Sequence, residues 1–300
     1  MGRKFVYFIN PISGTGKKKP VLEIIKKITA ARGIPFEIMH TNAEGDYSYL
    51  IQKIADEKIT DIIICGGDGT VNQLANALLN VTVNIGIIPM GSGNGLAFAA
   101  KIPRKAEKAL QVIFDGNAVP IDSFYINKKF SCMLCGIGFD AQVAHDFARQ
   151  KKRGLATYIK QSAKNFFSAK AYPFILSANN NELSSEAFFI SIANSNQFGN
   201  NFTIAPRASL SDGLLDIIVV NKMSKARMIW AVLKQVRFGQ VRMYEDKKYH
   251  RNAIHYFQVE NLTIQNTGLA PLHIDGDPAK TSLVFEIEII KKAFRLLMPA

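Results

Sequence analysis

The sequence predicts an open α/β domain followed by a β-sandwich domain. Up to Asp122, apolar runs of strand length alternate with amphipathic helical patterns, which indicates a parallel sheet with helices on both faces. After Asp122 the chain consists mostly of short β-branched and aromatic segments separated by turn residues, a pattern typical of an antiparallel sandwich. A chain of 300 residues with 48% hydrophobic content is long enough for both cores. We therefore place the two domains at 1–122 and 123–290.

The composition narrows the class of partner. A net charge of +13 favours an anionic partner, which could be nucleic acid, an acidic membrane surface or a polyphosphate substrate. The basic clusters lack the aromatic interleaving of an RNA-binding sheet, so we do not expect nucleic acid. Three cysteines are too few for a disulfide framework, and no apolar run approaches the roughly 20 residues that span a bilayer. We expect a cytoplasmic protein that is neither secreted nor integral to a membrane.

The first predicted strand, Phe5 to Ile9, ends in a loop rich in small residues, Asn10 to Lys17. This loop is a candidate phosphate site, but it departs from the Walker pattern because Pro11 stands where that pattern requires glycine. Pro20 then opens an amphipathic helix, and a second short strand leads to Thr41.

The central candidate site follows the apolar strand Ile62 to Cys65. It is the loop Gly66-Gly67-Asp68-Gly69-Thr70, whose glycines permit backbone N–H groups to approach phosphate oxygens at the start of the next helix. The carboxylate of Asp68 would repel a phosphate unless it holds a magnesium ion or steers a hydroxyl proton, so we expect one of these tasks. An ordinary corner between a strand and a helix is the alternative.

A third glycine loop, Gly91-Ser92-Gly93-Asn94-Gly95, follows the predicted strand Ile85 to Ile88. In a parallel sheet all three loops would lie at the carboxyl ends of the strands, where open α/β folds bind ligands. The third loop lacks the dinucleotide fingerprint and an acidic residue at the spacing that such a site requires.

The second domain contains a series of predicted short strands and two helical insertions. The strands are Ser123 to Ile126, Phe130 to Cys135, Phe174 to Ala178, Ala187 to Ala193, Leu215 to Val220, Tyr256 to Gln258, Leu262 to Gln265 and Leu283 to Ile290. The insertions are Ala141 to Phe167 and Ser224 to Val236.

Six short motifs occur in order along the chain. They are Asn10-Pro11-x-Ser13-Gly14, Gly66-Gly67-Asp68-Gly69-Thr70, Pro89-x-Gly91-Ser92-Gly93-Asn94, Gly136-Ile137-Gly138-Phe139-Asp140-Ala141, Ala205 to Asp216 and Asp275-Gly276-Asp277. Together they resemble the diacylglycerol kinase and sphingosine kinase superfamily of lipid kinases over nearly the whole chain. The resemblance implies an ATP-binding α/β domain, a β-sandwich lipid-substrate domain and a C-terminal segment, 291–300, that returns to the first domain.

The resemblance also implies that ATP and magnesium are bound mainly by the first domain. The residues implied to line the ATP phosphates and sugar are Asn10, Thr41, Gly66, Gly67, Asp68, Gly69, Thr70, Asn72 and Ser92. Asp68 would act on the magnesium–phosphate network, and Arg153 resembles an arginine that contacts the nucleotide.

Three further acidic residues match positions with assigned roles in the family. Asp140 matches a residue that meets the lipid head group, and Asp122 matches an acidic position that supports the magnesium–phosphate network near the substrate. Asp212 matches a structural magnesium site, which it would share with backbone carbonyls around Ser209 and Leu214.

The motif Asp275-Gly276-Asp277 resembles the general-base motif of the family, which makes Asp275 and Asp277 catalytic candidates. Asp277 stands where the family usually has glutamate, which shortens its reach by roughly 1.5 Å. Because a misplacement of about 1 Å can cost on the order of a hundredfold in rate, Asp68 is a rival for the base. By itself the same stretch would be a surface turn between Leu272-His273-Ile274 and Thr281 to Phe285.

The predicted reaction is transfer of the ATP γ-phosphoryl group to a hydroxyl of a lipid, either diacylglycerol or a sphingoid base. The alternatives are a kinase of a soluble hydroxyl substrate such as NAD, and a lipid-binding module that keeps the fold without turnover. The histidines have no ligand spacing, so we expect them to be exposed or satisfied within the fold.

The insertion Ala141 to Phe167 mixes basic and aromatic residues. It either touches an anionic membrane, transiently and at the inner face, or packs on the sandwich with a solvated basic face. The oligomeric state is open, and a homodimer is one option.

Overall fold

Two units make up the chain in the computed structural model, which describes residues 2–13, 18–42, 44–150, 155–197, 204–227 and 254–300. The first unit comprises Met1–Asp122 together with Lys291–Ala300, and the second comprises Ser123–Ile290. The first unit is therefore discontinuous in sequence.

The first unit alternates strands with helices, which confirms the predicted α/β class. Its strands are β1 (Phe5–Ile9), β2 (Phe36–His40), β3 (Asp61–Gly66) and β4 (Asn84–Pro89). Its helices are α1 (Lys18–Ala31), α2 (Leu50–Glu57), α3 (Asp68–Ala77), α4 (Gly95–Ala99) and α5 (Ala106–Asp115). Strands β1 and β3 are buried at every position, as expected for parallel strands that are covered on both faces.

The second unit is built mostly from strands, which confirms the predicted β-sandwich. The strands are β5 (Asn117–Ile126), β6 (Lys129–Ser131), β7 (Leu134–Gly138), β8 (Tyr172–Ala178), β9 (Asn181–Ala193), β10 (Leu215–Asn221), β11 (Ile254–Val259), β12 (Asn261–Gln265), β13 (Leu272–Ile274), β14 (Asp277–Ala279) and β15 (Val284–Met298). Helices α6 (Phe139–Ala148) and α7 (Leu155–Ser168) separate β7 from β8 in sequence. Strands β5 and β15 each contain residues of both units.

Some predicted bounds are wrong. The insertion predicted at Ala141 to Phe167 is two helices, α6 and α7. Strand β5 begins at Asn117 and contains Pro120, and β15 continues past Ile290 to Met298. Most of the second predicted insertion, Ser224 to Val236, lies outside the described residues.

The sheet of the first unit has the strand order β15, β4, β3, β1, β2, and all of its pairings are parallel. Strand β15 takes part through Arg295 and Leu296, which pair with Asn84 and Ile85 of β4. The carboxyl ends of β1 to β4 therefore lie at one edge of this sheet.

Strand β9 organises the sandwich of the second unit. Its first half pairs with β8, and its second half pairs with both β7 and β10. The main core contains Phe124, Phe174 and Phe285 from three different strands. A second apolar cluster receives Phe139 of α6 and Phe166 of α7, so the two helices pack against the strands of this unit. Among the described residues, no helix has both the length and the apolar character needed to cross a bilayer.

A buried carboxylate lies at the amino-terminal edge of the first unit's sheet. Asp61 is fully buried and accepts hydrogen bonds from Nη2 and Nε of Arg3 at 2.6 and 3.1 Å. It also accepts hydrogen bonds from Thr60 Oγ1 at 2.6 Å and from Asn84 Nδ2 at 3.1 Å. Because Arg3 donates in addition to the carbonyl oxygen of Phe114 at 3.0 Å, this network joins the start of the chain to β3, β4 and α5.

We predict that Arg3→Ala lowers the free energy of unfolding by about 3 kcal/mol, because it leaves the buried carboxylate of Asp61 without a compensating charge. Equilibrium unfolding in urea at neutral pH measures this loss as a lower midpoint at an unchanged slope.

Arg32→Ala is the matched control. Arg32 also pairs with an aspartate through two hydrogen bonds, to Asp115, and its guanidinium stacks over Phe114 as that of Arg3 stacks over Phe5. Its ion pair is exposed, however, with 48% and 49% of the two side chains accessible, so we expect a much smaller loss than in Arg3→Ala. Equal losses in the two variants would show that burial of Asp61 is not what matters.

Candidate active site

Four loops meet at the carboxyl edge of the first unit's sheet. They begin at Asn10, Thr41, Gly67 and Met90, directly after β1 to β4. The strand ends are aligned because Ile9 is in register with both His40 and Cys65, and Gly66 is in register with Pro89. Residues that are far apart in sequence, among them those of the first three motifs, are thereby neighbours.

The first three loops are tied together by hydrogen bonds. Asn10 Nδ2 donates to Thr70 Oγ1 at 2.7 Å, and the amide of Asn10 donates to the carbonyl oxygen of Cys65 at 3.0 Å. The amide of Thr41 donates to the carbonyl oxygen of Ile9 at 3.1 Å. Asn10, Thr41 and Thr70 therefore form one cluster.

The second and third glycine loops touch through their backbones. A Cβ atom on Gly91 would lie 2.6 Å from the Cα atom of Gly67, a distance that real side chains do not adopt. Position 91 therefore requires glycine, and glycine is favoured at position 67, where a Cβ atom would lie 3.0 Å from the Cα atom of Gly91. Neither glycine places a side chain at this contact next to the start of α3, which fits the close approach of a phosphate to backbone N–H groups.

Asn94 holds the third loop in shape, a role that the sequence analysis missed. Its Oδ1 accepts a hydrogen bond from the amide of Gly91 at 2.8 Å, and its Nδ2 donates to the carbonyl oxygen of Gly91 at 2.8 Å. Asn94 is buried and has a left-handed backbone, with φ of 55°. The available signal was an asparagine among glycines, since asparagine tolerates this conformation better than most residues.

Asp68 is the first residue of α3, and its side chain is half-buried. Its Oδ2 lies 2.8 Å from the position that a Cβ atom on Gly93 would occupy, so the carboxylate is next to the third loop. Carboxylate oxygen is the ligand that Mg²⁺ prefers, and the residues at this edge therefore suit that ion. Asn72 is half-buried one turn further along α3, and Ser92 is exposed in the third loop.

In the second unit, the motif Asp275-Gly276-Asp277 forms a tight hairpin. Asp275 and Gly276 have φ of 49° and 86° and connect β13 to β14, in which Ile274 pairs with Asp277. Positive φ at both central residues is typical of a two-residue hairpin turn. The expected turn exists, but its second strand starts at Asp277 rather than at Thr281.

The two acidic residues of this hairpin differ in environment. Asp275 is buried, and its carboxylate accepts hydrogen bonds from Ser131 Oγ at 2.6 Å and from the amides of Cys132, Met133 and Leu134 at 3.0 to 3.1 Å. Asp277 is exposed. The first carboxylate therefore holds the turn against the segment before β7, whereas the second is accessible to a substrate.

Burial raises the pKa of the Cys135 thiol well above its usual value, and the nearby charge of Asp275 adds to this effect. Cys132 and Cys135 are both fully buried and belong to the core.

Asp140 lies at the start of α6 and is 7% exposed. Its Oδ1 accepts a hydrogen bond from the amide of Ala141 at 2.8 Å, and its Oδ2 lies 3.5 Å from Nε2 of His273. His145 of α6 also contacts β13, with Nε2 2.8 Å from the carbonyl oxygen of Leu272. Two histidines that have no ligand spacing thus connect α6 to the hairpin.

Asp122 belongs to the first unit and is 1% exposed. Its Oδ1 accepts a hydrogen bond from the amide of Lys292 at 2.7 Å, which connects β5 to β15. Arg153 lies outside the described residues, as do residues 14–17 of the first loop.

The predicted metal residues Ser209, Asp212 and Leu214 lie in the turn before β10. Asp212 is exposed, and its Oδ1 accepts a hydrogen bond from the amide of Leu214 at 3.1 Å. Across residues 2–13, 18–42, 44–150, 155–197, 204–227 and 254–300, no three His, Cys, Asp or Glu side chains are grouped to hold a metal. A site made of one carboxylate and backbone carbonyl oxygens does not require such a group of side chains.

Asp216, at the start of β10, is fully buried and accepts hydrogen bonds from the hydroxyl of Tyr256 and from Gln258. Burial raises the pKa of Asp216 to about 6, and the charge of Asp212 contributes to the increase.

Two protein families match the chain in sequence. The diacylglycerol kinase catalytic domain matches residues 4–126, and the YegS C-terminal NAD kinase beta sandwich-like domain matches residues 134–298. A probable lipid kinase YegS-like from Cronobacter sakazakii is 30% identical over 214 residues, which cover 69% of this chain and 71% of that protein. Another, from Shewanella frigidimarina, is 25% identical over 95% of this chain and 92% of its own.

Solved structures share the fold. A diacylglycerol kinase from Bacillus anthracis str. Sterne superimposes with a TM-score of 0.75 and 21% identity, covering 99% of this chain and 97% of its own. Another crystal structure from the same organism reaches a TM-score of 0.81 at 23% identity and the same coverage. The family matches and the relative from Cronobacter sakazakii show that the chain belongs to the YegS-like lipid kinase family, as a diacylglycerol kinase catalytic domain followed by a YegS C-terminal domain.

Proposed function

We propose that this protein transfers the γ-phosphoryl group of ATP, with Mg²⁺, to a hydroxyl of a lipid, either diacylglycerol or a sphingoid base. The observation that carries the proposal is the convergence of the glycine loops at one sheet edge, with Gly67 against Gly91 and the carboxylate of Asp68 beside them. Phosphoryl transfer depends mainly on positioning and on electrostatic stabilisation, and this edge offers groups for both.

ATP is the ligand proposed for this edge of the first unit. The residues proposed to bind its phosphates and sugar are Asn10, Thr41, Gly66, Gly67, Asp68, Gly69, Thr70, Asn72, Ser92 and Arg153. The helix start at Asp68 supplies N–H groups for the phosphates, and the bond between Asn10 and Thr70 holds two of the loops in place. When bound by Asp68, magnesium would neutralise the charge on the phosphates.

We assign the general base to Asp277 because its carboxylate is exposed at the start of β14, directly after a two-residue turn. Asp275 supports it from within the turn, since its own carboxylate accepts hydrogen bonds from Ser131 and three backbone amides. Asp140 and Asp122 are assigned to the substrate side of the reaction, and both are buried within their own units.

The first test is ATP-dependent phosphorylation of an extracted lipid pool. If Asp277 is the base, Asp277→Asn should lower kcat by about 10² to 10⁴, the usual contribution of general-base catalysis. Asp68→Ala should abolish detectable transfer, because it removes a carboxylate from the phosphate loop. The rate is measured with labelled ATP and magnesium.

Asp277→Glu is the matched control, because it keeps the charge and restores the reach that the usual glutamate has. We expect it to be as active as the wild type or more active. Near-full activity of Asp277→Asn would move the base to Asp68 or to solvent. Absence of labelled lipid with wild-type protein would contradict the kinase proposal and favour a module that binds lipid without turnover, while labelling of NAD instead would favour the soluble substrate.

A lipid substrate also requires an encounter with a membrane, and we assign this contact to α7. Its Lys160 and Lys164 are exposed one turn apart, whereas Gln161 and Asn165, each one residue further along the helix, are buried. The helix packs on the sandwich through Phe166 and exposes these two lysines, which supports the proposed contact.

We predict that the double variant Lys160→Glu/Lys164→Glu binds anionic vesicles at least about tenfold more weakly, since each lysine near such a surface contributes about 1 kcal/mol. Co-sedimentation with phosphatidylserine vesicles at low salt measures the change. The control, Lys26→Glu/Lys27→Glu on α1, makes the same change at exposed positions and should have a smaller effect. Equal binding of the wild type to neutral and anionic vesicles would argue against the contact.

A structural magnesium ion is proposed at Asp212, with the carbonyl oxygens of Ser209 and Leu214. Saturating Mg²⁺ should then raise the melting temperature of the wild type, by mass action, but not that of Asp212→Asn. Asp46→Asn is the control, because the exposed Asp46 makes the same contact two residues on, to the amide of Ser48 at 2.9 Å. A shift that persists in Asp212→Asn would place the ion elsewhere.

A further inference from the structure

His273 is buried between α6 and the hairpin that carries Asp277, and both of its ring nitrogens face a group of the protein. The amide of Gly276 donates a hydrogen bond to Nδ1 at 3.2 Å. Nε2 lies 3.5 Å from Oδ2 of Asp140, and the two side chains are 2% and 7% exposed. The ring therefore stands between the first turn of α6 and the backbone of the turn.

These contacts determine the tautomer of His273. Because Nδ1 accepts the hydrogen bond from Gly276, the ring proton of the neutral histidine is on Nε2. That proton faces the carboxylate of Asp140, which orients the ring from the other side, as carboxylates often orient histidines at functional sites.

Gly136 leaves the space that this pair of side chains occupies. It is the cross-strand partner of His273 in the pairing of β13 with β7. A Cβ atom on Gly136 would lie 1.9 Å from Oδ2 of Asp140 and 2.4 Å from Nε2 of His273. The glycine at the start of the fourth motif is thus explained by the contact between the two side chains.

We propose that His273 is a positioning residue for the phosphoryl transfer, which couples Asp140 to the Gly276 amide and so sets the orientation of the hairpin that presents Asp277. The inference rests on the proposed function, because Asp277 is the base only there. It also gives Asp140 a different task from the lipid contact that the family resemblance implies.

The contacts of Asp140 support this assignment. Its Oδ1 accepts a hydrogen bond from the amide of Ala141, its Oδ2 faces His273, and little of the side chain is exposed. The carboxylate therefore has little exposed area through which a lipid hydroxyl could reach it. The hairpin, in contrast, is contacted directly, since Gly276 immediately precedes Asp277.

The test compares substitutions that keep one of the two contacts. His273→Asn keeps an acceptor near the position of Nδ1 but does not reach Asp140. His273→Gln keeps a donor near the position of Nε2 but offers no acceptor to Gly276. His273→Ala loses both. We expect kcat for lipid phosphorylation to fall by about 10- to 100-fold in His273→Ala and His273→Gln, since a displacement of about 1 Å can cost a hundredfold.

His273→Asn should recover most of this loss, while KM for ATP and for lipid stays within about twofold in all three variants. A loss confined to kcat, with rescue by asparagine, is not what general destabilisation produces. Wild-type kcat in His273→Ala, or equal loss in the asparagine and glutamine variants, would overturn the proposal.

A double-mutant cycle separates the two tasks of Asp140. If Asp140 acts through His273, Asp140→Asn lowers kcat without raising KM for lipid, and combination with His273→Ala adds little to either single change. If Asp140 binds lipid directly, KM for lipid rises and the two effects are additive, which would contradict the coupling.

Amide hydrogen exchange distinguishes failure of this inference from failure of the proposed function, because it needs no turnover. The peptide that contains Gly276 should exchange faster in His273→Ala and in Asp140→Asn than in the wild type. Its exchange rate in His273→Asn should lie between those of His273→Ala and the wild type. Unchanged exchange would overturn the coupling even in an active kinase. Faster exchange in a protein that phosphorylates no lipid would retain the coupling and reject the kinase proposal alone.

Discussion

The parallel pairing of β1 to β4 is the constraint on which the first unit depends. The loops that follow parallel strands all lie at the same edge of the sheet. Residues that are far apart in sequence are therefore close together there, namely Asn10, Thr41, Asp68 and Gly91. The register has a physical basis at both ends of the strands. At the amino-terminal edge it is held by the buried carboxylate of Asp61, and at the carboxyl edge by the contacts among the loops themselves.

The second unit uses one acidic residue to fix the place of another. The carboxylate of Asp275 accepts hydrogen bonds from the Ser131 hydroxyl and from three backbone amides, and these bonds hold a turn with two positive φ angles next to the segment before β7. The turn and the general-base interpretations of this motif are therefore compatible. If an aspartate is to replace a longer glutamate as the base, a turn held in this way is useful, because a misplaced carboxylate would accept the proton more slowly.

Local sequence patterns predicted the elements whose own residues carry a clear signal over a short stretch. The apolar run Ile62 to Cys65 is β3 almost to its bounds, and the glycine loops lie where the alternation put them. The end of β15 was missed because Lys291 and Lys292 interrupt the apolar pattern, and Lys292 has a positive φ where the strand is irregular. The start of β5 was missed because Pro120 cannot donate to a ladder, although a strand can contain it.

The candidate site was predictable to the extent that each residue carries its own chemistry. Asp68 and Asp277 are acidic residues in loops and could be chosen by that property alone. Ser131 and His273 could not, because their importance lies in contacts with partners that are distant in sequence: 144 residues separate Ser131 from Asp275, and His273 meets Asp140 from the other end of the sandwich domain's sequence. No periodicity or spacing records such a contact.

The discontinuous first unit has a consequence for how its sheet is completed. Strand β4 is paired on one side with β3 and on the other with Arg295 and Leu296 of β15. Arg295 lies 211 residues after Asn84, and the whole of the second unit stands between them in sequence. Until this pairing forms, β4 has a bare hydrogen-bonding edge, the kind of edge that pairs with other chains. Removal of residues 291–300 would therefore be expected to favour aggregation.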